Sequence, residues 1–201
     1  MSFNTKGYEV VKKTVSLETI KFLYHYFLKK RDVAKILYES KYFTKNPTHL
    51  VGYWHKDDPQ IPNTYSAYGD IAFDTLSEYM LPTVEKIVGM KLVPQYSFAR
   101  IYKHGDELLK HKDRQESEIA ATLFLGGDEW TIYMEEEPVL LKQGQMCVYK
   151  GCELEHWREK FLSEICVQVF IFYRPYEKDL KHDRRKILGL PPEFKTRTFF
   201  G

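Results

Sequence analysis

The chain changes texture about halfway along. In residues 17–39, LETIKFLYHYFLKKRDVAKILYE, the residues Ile20, Leu23, Tyr24, Phe27 and Leu28 recur at helical spacing, and Ser16 stands where an N-cap belongs. Residues 70–89, DIAFDTLSEYMLPTVEKIVG, predict a second helix or helix pair, broken near Pro82 and closed by Gly89. Between them, residues 41–69 mix Pro47, Pro59, Pro62, Gly52 and Gly69 with polar and aromatic residues, predicting a long irregular segment. Segments of that kind in compact domains commonly serve as lids or binding loops. From Tyr96 the period falls to two. YSFARIY, EIAATLFL, EWTIYM, VLLKQGQMCVYKG, CELEHW and EICVQVFIFY read as short strands separated by glycines and charged turns. Helices followed by six or more strands predict an α+β fold, a β-sandwich or barrel with helices packed outside.

Composition narrows the picture only a little. With 201 residues the chain is expected to form one domain: helical support and loop over 1–95, β core over 96–175, and a tail over 176–201. A formal net charge of +2 gives no global pull toward nucleic acid or membrane, and neither is expected as a partner. The basic run in the tail is expected to be a solvated face. Fifteen tyrosines and 13 phenylalanines suit a β-rich core. Cys147, Cys152 and Cys166 are odd in number and lack CxxC spacing, so free thiols in a reducing compartment are expected. With no apolar signal region at the N-terminus and no run long enough to span a bilayer, the expected location is the cytoplasm. Oligomeric state is not legible.

The chemistry begins at HKDR, residues 111–114. If this stretch is extended, His111 and Asp113 share a face and converge on one point. The later strands supply one further histidine, His156 in LEHWR. Two imidazoles and one carboxylate form the facial set that holds non-haem Fe(II) while leaving positions open. His104 precedes the turn at Gly105–Asp106 and should be exposed. His25, His49, His55 and His182 fall on a helix, in the loop or in the tail.

The surrounding order is more specific than the ligands. A strand ending in Tyr102 leads through a glycine turn to H-x-D, as YSFARIYKHGDELLKHKD. There follow AATLFLGG, LLKQGQMCVYKG, EHWREKF and the closing strand VQVFIFY. In this the C-terminal half resembles the Fe(II)/2-oxoglutarate-dependent dioxygenases, in their prolyl-hydroxylase-like branch. The resemblance implies a double-stranded β-helix, a jelly-roll or cupin-like barrel with iron near one mouth. It also implies Fe(II) bound by His111, Asp113 and His156, with 2-oxoglutarate as co-substrate and ascorbate as an accessory reductant. The reaction implied is hydroxylation of a substrate C–H with release of succinate and CO2. The substrate would be a prolyl or other protein side chain, or else a free amino acid or other small molecule, with the 41–69 aromatics over the mouth.

One part of that pattern is missing. The family usually carries an Arg or Lys about ten residues after the distal histidine, to hold the far carboxylate of 2-oxoglutarate. Here that neighbourhood is Glu164, Ile165, Cys166, Val167 and Gln168. Arg158 is the first candidate anchor, because it shares the strand face of His156 and a guanidinium can grip a carboxylate with two parallel bonds. Arg100, on the face of Tyr102, is second, and Arg174 third. Tyr102 and Gln168 are further candidates to touch the co-substrate. Trp157 should point away from His156, and Lys112 and Arg114 are expected on the surface, placed to steer an anionic substrate. Two other classes compete with the oxygenase: a non-enzymatic cupin-like metal- or ligand-binding barrel, and an interaction module using tail and loop.

Overall fold

The computed structural model describes residues 2–42 and 51–176. Its architecture is two facing antiparallel sheets with helices against one of them. After the short helix α1 (Ser2–Lys6) come β1 (Tyr8–Val11) and the long helix α2 (Leu17–Glu39). Next are β2 (Tyr53–Trp54), β3 (Tyr65–Tyr68) and helix α3 (Ile71–Val88). The remaining strands are β4 (Leu92–Lys103), β5 (Leu108–His111), β6 (Ile119–Gly127), β7 (Ile132–Met134), β8 (Glu137–Val139), β9 (Met146–Lys150), β10 (His156–Arg158) and β11 (Ile165–Pro175). A seven-stranded sheet runs β1-β9-β6-β11-β4-β3-β2, and a four-stranded sheet runs β5-β10-β7-β8. This is the expected α+β class and the double-stranded β-helix.

Alternation along the strands sorts side chains between two cores. Ala99 and Ile101 on β4, Leu123 on β6 and Val167, Val169 and Ile171 on β11 pack with Phe27, Phe73 and Val84 of the helices. Their neighbours in sequence, Tyr102, Phe124, Cys166, Phe170 and Phe172, turn the other way and meet Leu108, Ile132 and Met134 of the small sheet. The site lies within this second core, so period-two patterning is what aims residues at it.

The helices are fixed at their ends. The Ser16 hydroxyl accepts the Thr19 amide at 3.1 Å, and Ile20, Leu23, Phe27 and Ala34 bury one face of α2. Asp70 caps α3 by accepting the Ala72 amide at 2.9 Å, while its other oxygen takes the Tyr26 hydroxyl at 2.8 Å and the Lys30 ammonium. Gly89 ends α3 in the left-handed conformation, φ +75°.

Three expectations need correction. Pro82 does not break α3, which runs unbroken through it. Pro82 and Glu78, whose carbonyl loses its donor, are both exposed, so water can replace the missing bond. The 41–69 stretch is not wholly irregular: β2 and β3 extend the large sheet, with Ser66 opposite Arg100. Nor does the sheet begin at Tyr96, since β1 from the N-terminal stretch pairs with β9 and β4 starts at Leu92. Phe43, His49, His182 and the tail beyond Tyr176 lie outside the described residues. No helix among the described residues is long and apolar enough to cross a membrane. Cys147 and Cys166 are buried thiols, and the Cys152 thiol donates to the Arg114 carbonyl at 3.1 Å.

Candidate metal centre

The turn from β4 into β5 sets the first ligand. Gly105 takes φ +86°, and the buried Asp106 accepts the Lys103 amide at 2.9 Å and the Thr64 hydroxyl at 2.8 Å. β5 then ends at His111, which stands directly opposite His156 of β10 in the antiparallel register. The two rings lie 4.3 Å apart between centroids. Asp113 follows after the strand, held by its amide donating to the Gly151 carbonyl at 2.8 Å. Its Oδ1 is 3.9 Å from His111 Nε2 and 3.8 Å from His156 Nε2. One donor atom from each residue lies within 4.8 Å of the others, the one such trio among the described residues.

The tautomers follow from backbone bonding. A carbonyl can only accept, so His111 Nδ1 donates to Leu109 O at 2.8 Å and His156 Nδ1 to Leu154 O at 3.1 Å. Each Nε2 is left with a free lone pair on the Asp113 side. Burial keeps both rings neutral: it lowers the pKa of His111, and burial with the neighbouring His111 takes His156 down to about 4. Burial pushes the Asp113 carboxyl up to about 7, opposed by the Tyr149 hydroxyl and the Arg114 charge. Asp113 Oδ2 is buried with no hydrogen-bond partner. A buried carboxylate with Oδ2 unpaired and Oδ1 facing two neutral imidazole lone pairs is a costly arrangement in the absence of a cation. The donor set fits a divalent metal.

Gly151 was missed as a site residue from the sequence, where it reads only as the glycine that ends the segment LLKQGQMCVYKG. A Cβ there would meet Ser117 O at 2.3 Å and Asp113 Oδ2 at 2.7 Å, so only glycine lets the turn approach the carboxylate. Tyr149 was missed as well; it lies beside both Asp113 and His156.

Two spaces that share lining residues adjoin the trio. An inner cavity of about 50 Å³ is lined by Arg100, Tyr102, Tyr149, Ile132 and Phe170 together with the three candidate ligands. An outer cleft of about 480 Å³ includes His111 and Asp113 and is walled by Tyr53, Tyr68, Tyr96 and Phe172, with Asp58 and Gln60 of the loop. Of the loop aromatics, then, Tyr53 and Tyr68 reach the cleft. Trp54 and Tyr65 pack on each other at 4.8 Å on the helix side, and Tyr42 is exposed.

The candidate cations separate clearly. Arg100 is buried but engaged: Nη2 donates to Asp58 Oδ2 at 2.7 Å and Nε to the Ser66 hydroxyl at 3.1 Å. Arg158 is 1% exposed; Nη1 donates to the Trp130 carbonyl, while Nε and Nη2 are buried without a partner. Its charge acts on Tyr102, Cys147 and Cys166, all neutral groups whose ionisation burial opposes. Arg174, near the far end of β11 opposite Val93, also has its Nε buried without a partner, and neither it nor Arg158 is among the residues lining the two spaces. Gln168 faces inward as its alternation predicts, but its amide accepts from Thr122 at 3.0 Å and donates to the Cys166 sulfur. Trp157 points away from His156 and stacks on Tyr133 at 5.2 Å. His104 is exposed.

Solved structures with this fold are numerous at low identity. HygX from Streptomyces hygroscopicus, with nickel, 2-oxoglutarate and hygromycin B bound, aligns over 87% of this chain and 85% of its own at 14% identity and a TM-score of 0.63. The viral collagen prolyl hydroxylase from Paramecium bursaria Chlorella virus-1, in complex with 2-oxoglutarate, aligns over 86% and 98% at 11% identity and a TM-score of 0.60. A Pseudomonas putida prolyl-4-hydroxylase aligns over 87% and 95% at 12% identity and a TM-score of 0.52. Comparison with protein-family models and with curated protein sequences finds no match.

Proposed function

We propose that this protein is an Fe(II)- and 2-oxoglutarate-dependent oxygenase that hydroxylates a substrate C–H bond. The observation that carries the reading is the cross-strand pair His111–His156, with both Nδ1 protons held by carbonyls and both Nε2 lone pairs turned toward Asp113. Three such ligands leave open positions on ferrous iron, the arrangement that oxygenases need. HygX and the viral prolyl hydroxylase, which share the fold, carry 2-oxoglutarate in their structures. The buried Cys147 and Cys166 thiols accord with a cytosolic setting.

Iron, when bound, supplies the coupling of O2 reduction to 2-oxoglutarate decarboxylation, so that one oxygen atom enters succinate and the other the substrate. The chain's own work is holding and excluding. His111, Asp113 and His156 hold the metal. Gly151 and the Tyr149 hydroxyl fix the Asp113 carboxylate. Phe98, Phe170, Phe172 and Ile132 line the inner cavity with apolar surface, limiting water at the reacting centre.

Arg158 anchors the far carboxylate of 2-oxoglutarate. A buried guanidinium with two unpartnered N–H edges bears a desolvation cost that a carboxylate would offset. Arg100 is the weaker choice because Asp58 already pairs with it. Tyr102 lines the inner cavity within electrostatic reach of both arginines, which suits it to touch the same ligand. The test is O2-dependent release of succinate from 2-oxoglutarate with Fe(II) and ascorbate present. No succinate across a broad substrate panel would overturn the reading.

A further inference from the structure

The outer cleft carries more positive charge than its own carboxylates can answer. Its lining includes three cations, Arg100, Lys112 and Arg114, against two carboxylates, Asp58 and Asp113. Asp58 is paired with Arg100, and Asp113 belongs to the metal trio. Among the described residues neither Lys112 nor Arg114 has a carboxylate within 4.0 Å in an ion pair; the Asp113 and Glu116 charges act on Arg114 from farther off, and hydrogen bonds hold it in place. Its Nε and Nη2 donate to the Tyr96 hydroxyl at 3.3 and 3.1 Å, and the Tyr68 hydroxyl bonds the same guanidinium. The Tyr96 hydroxyl in turn pairs with Ser117 at 2.7 Å, and Tyr68 stacks on Tyr96 at 4.9 Å. A guanidinium fixed by neutral oxygens, next in sequence to a metal ligand, is a preorganised receptor for an anion.

We infer that the substrate is a small organic acid, whose anionic group binds Arg114 and whose ring or chain lies on the aromatic wall formed by Tyr68, Tyr96, Phe98 and Phe172. This rests on the oxygenase reading, because it takes the trio as the place where the substrate's C–H must arrive. The size of the space favours a small molecule over a polypeptide. About 480 Å³ falls within the range of small-ligand pockets, and Asp58, Pro59 and Gln60 of the loop close one side of it. Lys112 at the rim adds to the field that draws an anion in.

The test is calorimetric binding to the protein with Fe(II) and 2-oxoglutarate, without oxygen. The probes are phenylacetate, cyclohexanecarboxylate and N-acetylproline, each against its primary amide. Phenyl phosphate distinguishes phosphate from carboxylate, and a blocked proline-containing decapeptide represents the polypeptide alternative. Acids should bind about tenfold or more tightly than their amides, the worth of one charge-assisted pair. Arg114→Gln should reduce that preference to near unity, and Arg114→Lys should keep part of it. Equal binding of acids and amides, no binding by any acid, tight binding of the peptide alone, or an acid preference that survives Arg114→Gln would each overturn the inference. Since the acid-to-amide ratio on unsubstituted protein decides by itself, a variant that fails to fold does not rescue it. Succinate release with oxygen, measured in parallel, judges the oxygenase reading separately: its absence alongside an intact acid preference would sink that reading and leave this one standing.

Discussion

Asp113 shows how much one residue of the site depends on its neighbours. Its carboxylate is placed by a backbone bond to Gly151, approached by the Tyr149 hydroxyl, and left with one buried unpaired oxygen. Asp113→Ala should abolish tight Fe(II) binding with the fold retained, measured by iron stoichiometry after desalting. Gly151→Ala should weaken the metal by about 10–100-fold, the usual cost of disturbing groups that orient a ligand, since its Cβ would lie 2.7 Å from Asp113 Oδ2. Arg158→Ala should lower 2-oxoglutarate affinity by about a hundredfold or more while iron still binds, and Arg158→Lys should recover part. These positions differ in how legible they were. His111, Asp113, His156 and the inward face of Arg158 follow from ligand chemistry and period two. That Arg100 would be taken by Asp58, 42 positions earlier, depends on how the loop folds back, which no local pattern records.

At the scale of elements, the contact between α3 and β4 hides a titration. Asp74 of α3 reaches Ser97 of β4, accepting its amide at 3.0 Å and its hydroxyl at 2.6 Å through Oδ1, while Oδ2 is buried and unpaired. Burial raises this carboxyl to about 7, against an ordinary value of about 3.9 in the unfolded chain. The folded state therefore holds the proton more tightly. The resulting stabilisation is full below about pH 4 and is lost as pH rises through about 7. Asp74→Asn keeps the acceptor for Ser97 and cannot ionise. It should flatten the fall in melting temperature between pH 4 and 7 and leave the variant more stable than the parent at pH 8. The sequence carried α3 itself plainly through Phe73, Leu76, Met80, Val84 and Val88, but Pro82 misled because its exposure could not be foreseen. The two-residue β2 and the four-residue β1 and β3 were missed for another reason: so short a run has too few alternations to be told from a loop.

For the molecule as a whole, the large sheet and the helices form one core and the two sheets another, with the candidate metal trio in the second. Binding at the trio should therefore stabilise the fold as a unit. With Fe(II) at about 100 times its dissociation constant, linkage gives about 2.7 kcal/mol, a rise of about 5–10 °C in melting temperature for a chain of this size. His156→Ala should cancel that rise, as differential scanning calorimetry can check. The global architecture was legible because helices precede strands and the periods differ sharply. The placement of the helices against only one sheet was not, because it depends on which alternate face of β4, β6 and β11 meets them.

The direct pairing of His111 with His156 has a dynamic consequence. The strands that carry them have four and three residues, and both belong to the smaller sheet, whereas β4 and β11 of the larger sheet have 12 and 11. An ion gripping both rings would act as a rivet across this short ladder, suppressing its local opening in addition to raising the cost of unfolding the whole. Chelation should then speed amide hydrogen exchange in β5 and β10 well before β4 and β11 respond.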